Sequence, residues 1–298
     1  MDTVKKELPK PKTYEGMSQY RPPLCFELVG KDLTLIMDNG FDYQLKFLDR
    51  EKLIFGQVGG DSDVYKYDCL KAEDDTYFVN LSMTGDAVKS VNTFIIDMEQ
   101  SLITWVNAKM GHNPRLPKQP STEFVFGAMK KEDGTLPTIR HGYTSDMIGK
   151  AIHWRYGTLD VVHVYSSERY YRLTMPKEEI ERMRQANPEA FAAAEAARQR
   201  DGGGMGGFNM TYVYEEPSDY VKIKDGIYVF SMTEAMMNRK RGQGNNLLFL
   251  MNLNRMYDVG RSFGHNGEGN PENYTYGAYG EYYDASDLLA KQSTEYIR

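Results

Sequence analysis

Along residues 227–235 the side chains of Tyr228, Phe230, Met232 and Glu234 fall on one face of an extended chain, so a carboxyl group ends an apolar aromatic stripe. Burial disfavours the charged form of such a group, raises its pKa and suits it to general acid–base work near neutrality. At a solvated rim it would instead pair with Arg239 or Arg241. His163, between Val162 and Val164, is the second proton-transfer candidate, because imidazole alone titrates unperturbed near pH 7; a lone strand histidine is more often a structural hydrogen-bonder. Trp154 and Tyr156 share one face of their segment, His163 and Tyr165 share another, and Tyr170, Arg172 and Thr174 a third. Asn252 and Arg255 follow the apolar run 247–251 and supply an amide and a cation suited to a carboxylate or phenolate oxygen. A late arginine can equally close a barrel by bonding carbonyls. The resulting assignment gives Tyr156 and Arg255 the task of orienting a phenol or carboxylate and Glu234 with His163 the task of moving a proton. Trp154, Tyr165, Tyr170, Arg172, Phe230 and Asn252 would line the ligand.

Other chemistries find no foothold. There is no phosphate-cradling GxxxxGK[ST], and the glycine run 202–207 follows a helical stretch and reads as a hinge. No GxSxG elbow, HExxH, CxxC or paired-histidine spacing occurs, so neither a metal nor another cofactor is expected. With 36 Lys and Arg against 42 Asp and Glu the net charge is −6, which disfavours nucleic acid and anionic membranes as partners. No apolar run is long enough to span a bilayer, and the first residues lack the apolar core of a signal peptide. The expectation is a soluble cytoplasmic protein. Cys25 and Cys69, distant in sequence, read as two reduced structural cysteines. The 22 Tyr, 13 Phe and 17 Met suit a barrel holding a small aromatic molecule, and equally ordinary sheet faces.

The elements that must position these residues are short alternating strands broken by turns. Candidates are 32–37, 41–48, 52–57, 63–71, 76–84, 89–97 and 101–109, then 150–157, 160–166, 169–175, 209–216, 219–224, 227–235, 246–254 and 275–283. An internal repeat organises them: Gly30-Lys31 before one strand run recurs as Gly149-Lys150 before another, and the segment at Tyr77 recurs at Tyr228 once residues 176–207 are set aside. The fold class is therefore all-β, with two tandem antiparallel barrels of the up-and-down kind. Residues 1–24 form an N-terminal arm draped over the first barrel, 25–112 the first barrel, 113–140 a proline-containing linker, and 141–298 the second barrel. The insertion 176–207 reads as a helical pair, with Pro188 in the first turn of its second helix. It serves either as a lid over the cavity or as a homo-oligomer contact.

His141, Thr144, Asp146, Met147, Gly149, Lys150, Ile152, Trp154 and Tyr156, followed by Val161 and the run 163–170, then the Tyr228 strand and 248–252 with Arg255, resemble the C-terminal half of the MoaF family. The first unit resembles that family's N-terminal half. The resemblance implies two lipocalin-like (calycin) barrels. The family's link with molybdenum cofactor biosynthesis finds no support in nucleotide, pterin or thiolate motifs here, whereas its association with a monoamine regulon points to small aromatic metabolites. The first unit is also similar to phenolic acid decarboxylases, single calycin barrels that use tyrosines, an arginine and a glutamate. The tyrosine and glutamate positions of that family fall on Leu35, Met37 and Met83, and through the repeat on Trp154, Tyr156 and Glu234, while the arginine has no counterpart. The second barrel is thus expected to carry the function and the first to be scaffold.

The leading expectation is a cofactor-independent lyase, decarboxylase or isomerase acting on a small phenolic or aromatic compound in the second barrel. The alternative is a calycin that binds or carries such a compound without transforming it. A third reading is a structural protein whose barrels are filled by their own side chains.

Overall fold

The computed structural model of the chain describes residues 16–131, 133–157, 159–201, 213–235, 243–266 and 268–290. Eight strands, β1 (Asp32–Met37), β2 (Asp42–Phe47), β3 (Lys52–Gln57), β4 (Ser62–Glu73), β5 (Thr76–Leu81), β6 (Lys89–Asp97), β7 (Leu102–Met110) and β8 (Pro120–Met129), close into an antiparallel barrel in chain order. β8 closes it, pairing with β7 along its length and with β1 through Leu35 and Met129. The segment 113–140 is therefore not a linker throughout. Its prolines mislead because Pro120 occupies the first position of a strand, where a missing N–H is tolerated.

A two-residue strand β9 (Gly142–Tyr143) leads into the second barrel. Its staves are β10 (Ala151–Arg155), β11 (Asp160–Val164), β12 (Tyr170–Thr174), β13 (Tyr214–Lys224), β14 (Ile227–Thr233), β15 (Asn246–Asn252), β16 (Tyr257–His265) and β17 (Pro271–Tyr282), again antiparallel and closed by β10–β17 and β12–β13 pairing. Two expectations change. Residues 209–212 of one expected strand lie outside the described residues, and 213–224 contain a single strand, β13, which trades β12 for β14 just after Pro217, the residue that cannot donate to a ladder. β16 lies where no strand was expected, because Gly260 and Gly264 break its alternation. A Cβ on Gly260 would lie 2.6 Å from the Tyr276 ring, so that glycine makes room for an interior tyrosine. The insertion contains helices α1 (Lys177–Ala186) and α2 (Pro188–Asp201), and α3 (Ser286–Leu289) follows β17. The glycine run 202–207 lies outside the described residues, as do residues 1–15 of the arm and 291–298 of the second unit. No helix among the described residues is long and apolar enough to cross a membrane.

The repeat extends to individual bonds. Gly30 and Gly149 both adopt positive φ, +83° and +85°, and donate to Phe47 O and Tyr165 O respectively, each at 2.9 Å. Leu28 and Met147, one turn earlier, insert into the two interiors. A register shift at Lys71/Glu73 in β4 recurs at Lys222/Lys224 in β13. The β6–β7 and β15–β16 hairpins each turn through a non-glycine residue at positive φ, Ser101 and Met256, whose carbonyls accept from Met129 and Gly280 at 2.8 Å. Glu27 bonded to Lys71 and Tyr77 is matched by Asp146 bonded to Lys222 and Tyr228.

Like faces of the two barrels meet. Leu70, Ala72, Phe78 and Ile95 of the first pack in one buried cluster with their counterparts Val221, Ile223, Val229 and Leu250 of the second. Around this dry contact lies a polar margin. Arg261, fully buried, donates to Asn246 Oδ1 at 2.6 Å and to Thr93 Oγ1 at 3.3 Å, and burial lowers its guanidinium pKa to about 10. His141 Nδ1 lies 2.8 Å from Thr104 Oγ1. The arm from residue 16 onward does not lie over the first barrel alone: Ser18 Oγ bonds Thr275 O, and Arg21 spans Thr275 of β17 and Asp68 of β4.

Candidate functional site

The interior of the second barrel is the chemically richest enclosed region among the described residues. Alternation along β10, β11, β14 and β15 turns Trp154, Tyr156, His163, Phe230 and Phe249 inward, and the residue after β11, Tyr165, joins them. Through the repeat each can be compared with the first barrel. Trp154 and Tyr156 replace Leu35 and Met37; His163 replaces Leu45; Tyr220 and Phe230 replace Cys69 and Val79. The common four-residue turn of the β6–β7 and β15–β16 hairpins sets Asp258 opposite Ile103. Both interiors contain rings, Phe47, Phe55, Phe94 and Tyr67 in the first, but at the matched positions Leu35, Leu45, Val79 and Ile103 the second carries Trp154, His163, Phe230 and Asp258.

His163 is enclosed by Tyr165, Tyr171, Phe230 and Phe249, with ring centroids 6.3, 5.3, 5.5 and 5.5 Å away, all edge-on. Desolvation alone lowers its pKa to about 3, so the imidazole is neutral at ordinary pH and does not titrate near 7 as the sequence suggested. Its Nδ1 has no hydrogen-bond partner among the described residues, and neither does the buried Tyr171 hydroxyl. Trp154 Nε1 donates to Tyr165 Oη at 3.2 Å, and that hydroxyl reaches Met251 Sδ at 3.3 Å. Tyr156 Oη donates to Asp258 Oδ2 at 2.9 Å. Asp258 is fully buried, which pushes its carboxyl pKa up to about 8, and its Oδ1 is unpartnered among the described residues. Glu216, fully buried, opposes Tyr171 across the β12–β13 ladder and raises the phenol's pKa further beyond the effect of desolvation.

Glu234 stays at the edge of this interior. It is half-buried, its N–H donates to Asn245 O at 2.9 Å, and its carboxylate is near enough to Tyr171, Tyr274 and Tyr276 to disfavour their ionisation, secondary to their burial. Arg239 and Arg241 lie outside the described residues. Four sequence-based assignments leave the interior altogether. Asn252 Nδ2 donates to Ala72 O at 2.9 Å and Glu73 Oε2 at 2.8 Å, and Arg255 pairs with Glu73 at 2.5 Å, so both tie one barrel to the other. Arg172 sits on the outer face against Glu215 and the Leu288 carbonyl. Tyr170 lines an outer cleft of about 430 Å³ between the barrels, with Gln119, Thr122, Arg169, Ser218 and Asp219. For Asn252 and Arg172 the reason is shared, since period-two alternation groups residues by face and here the outward face is buried too, whereas Arg255 lies exposed in the turn after β15 and Tyr170 faces outward at the cleft.

Sequence reasoning missed Asp258, Tyr171, Tyr220, Tyr276 and Glu216. Extending the repeat through the second hairpin would have found Asp258, a charged residue in register with Ile103. The interior has little free space: Trp154, Tyr165, Tyr171, Phe230 and Tyr276 have no accessible surface. Among the described residues no cluster of three or more His, Cys, Asp or Glu could hold a metal ion.

Two eight-stranded antiparallel barrels, the second with His163 and Asp258 buried among the rings of its interior, define the chain as a tandem lipocalin-like (calycin) protein. Residues 13–112, the end of the arm and the first barrel through β7, match the family model of the MoaF N-terminal domain, so the likeness to the MoaF family holds over that stretch. No curated protein matches the chain. The resemblance to phenolic acid decarboxylases expected from Tyr156 and Glu234 is not shown by this match.

Proposed function

We propose that this protein binds a small aromatic or phenolic molecule inside its second barrel. The observation that carries the reading is the exchange across the repeat: at matched interior positions Leu35, Met37, Leu45 and Ile103 become Trp154, Tyr156, His163 and Asp258. Buried polar groups without partners each cost about 1–3 kcal/mol, so His163 Nδ1, Tyr171 Oη and Asp258 Oδ1 are a liability in an empty barrel and an asset in an occupied one. The surrounding rings offer edges and faces to a planar ligand. Among the described residues the interior is closely packed, so the ligand enters by displacing side chains, with Tyr171 the first to turn, since its hydroxyl forfeits no hydrogen bond to a described residue. Trp154 reports occupancy. In a Trp105→Phe variant, hydroxycinnamates, catechols, flavonoids and aromatic amines are screened by Trp154 fluorescence and thermal shift. A true ligand at 100 times Kd adds about 2.7 kcal/mol of stability and loses affinity in Tyr171→Phe. A panel that moves neither signal would leave a barrel filled by its own side chains.

The Tyr156–Asp258 pair favours a second reading, acid–base catalysis on the bound compound. A carboxyl whose pKa is near 8 is protonated at neutrality, and if its O–H turns to donate to Tyr156 Oη, reversing the bond in which the tyrosine is donor, the tyrosine hydroxyl is freed to donate to a substrate oxygen. In this reading Asp258 and Tyr156 take the proton-moving role first given to His163 and Glu234. Asp258→Asn separates the two readings, retaining binding in both and abolishing turnover only in the second.

A further inference from the structure

The two cysteines, 44 positions apart in sequence, are neighbours in the fold. The segment leading into the first barrel runs beside β4, and Cys25 N donates to Cys69 O at 2.8 Å. The same approach occurs in the second barrel, where Thr144 N donates to Tyr220 O at 3.1 Å, so it belongs to the fold rather than to the thiols. In the first barrel the two residues joined by that bond are both cysteines, and their side chains pack in the same interior cluster. Cys25 is partly exposed and Cys69 is buried behind it. Lys71 and Glu27, paired at 2.7 Å, act on the Cys25 thiol in opposite senses, the carboxylate raising its pKa more than the ammonium lowers it, while the Glu27 backbone favours the thiolate.

We propose that Cys25 and Cys69 form a reversible dithiol–disulfide pair that closes by exchange with a low-molecular-weight disulfide. Cys25, the accessible member, is the attacking sulfur. Its thiolate displaces one half of the small disulfide as a thiolate, which takes up the proton Cys25 released to solvent. Cys69 then attacks the mixed disulfide at Cys25 and expels the second half, which leaves with the Cys69 proton. The protein loses two electrons and two protons, and the small disulfide becomes two thiols. The neighbouring Cys69 thiol lowers the Cys25 pKa to about 6, near the optimum for attack at neutral pH, while Cys25 and burial raise that of Cys69. The closed bond ties the leading segment covalently to β4, and that segment is continuous with the arm on β17. This inference is independent of what the second barrel binds.

The test equilibrates the full chain in reduced and oxidised glutathione, quenches with acid and maps thiols by alkylation and mass spectrometry. Both thiols are expected to vanish in one two-electron transition, yielding a joined peptide pair containing Cys25 and Cys69. Half-closure is expected in a poise at least tenfold more reducing than for the same chain in guanidinium chloride, about 30 mV for a two-electron couple. Cys69→Ser should leave Cys25 carrying a single glutathione, and Cys25→Ser should leave Cys69 unmodified while folded. Free thiols throughout, separate adducts on the two wild-type cysteines, or equal midpoints in folded and denatured protein would each overturn the proposal. The wild-type titration decides the matter even if a variant folds poorly.

Discussion

His163 and Asp258 pull the pH dependence of stability in opposite directions. The unfolded chain protonates its histidine near pH 6.5, whereas folded His163 resists until about 3. Between those values the unfolded state binds the extra proton, so stability is full above 6.5 and declines as pH falls toward 3. His163→Leu, which copies Leu45, should flatten that acid limb by an amount on the order of a few kcal/mol, read from urea unfolding at pH 7 and pH 4. An unchanged acid limb would mean that His163 is solvated. Asp258 has a folded pKa of about 8 against about 3.9 unfolded, so here the folded state holds the extra proton. Its contribution is full below pH 4 and is lost as pH rises to 8. Asp258→Asn should therefore gain on the wild type between pH 5 and pH 8, and parallel curves for the two would sink the assignment. Alternation alone made Trp154, Tyr156, Tyr165 and Phe230 legible as one interior. It failed for Arg172 and Asn252, whose outward face is covered, and for Asp258, whose strand hides behind glycines.

Most strands could be read from the sequence because their solvent faces alternate visibly, as in β2 and β3. β8 and β16 escaped, one behind a proline and one behind glycines. The repeat was visible in Gly30-Lys31 and Gly149-Lys150 because a left-handed backbone admits little else. A Cβ at either glycine meets nothing within 4 Å, so replacement by alanine tests the backbone alone. Gly30→Ala and Gly149→Ala should each cost about 1–2 kcal/mol and should match one another, measured by chemical denaturation. A cost in one barrel only would show that the two glycine turns are not the same device. The helical insertion was read correctly as helix. Lys177 anchors its start, through its N–H to Tyr283 Oη and its ammonium to Asp287, while α1 buries none of its residues.

The barrels unfold as a unit if their contact is as dry as Leu70, Phe78, Val229 and Leu250 make it. A single calorimetric transition is expected, and two resolved transitions would contradict it. Asn252 bears on the same joint. It has no accessible surface, and its truncation strands the Ala72 carbonyl and removes a partner from Glu73. Asn252→Ala should cost about 1–3 kcal/mol without altering ligand affinity in the second barrel. A loss of affinity with intact stability would return Asn252 to the binding site first expected of it.

The matching of strand to strand across that joint has a consequence for ancestry. Two copies of one barrel meeting through the same patch form an isologous contact, the geometry of a homodimer with two-fold symmetry. In this chain the partners share one polypeptide, so each copy can mutate without changing the other. That release from symmetry leaves each interior free to take its own lining, Leu35, Leu45 and Ile103 in one and Trp154, His163 and Asp258 in the other.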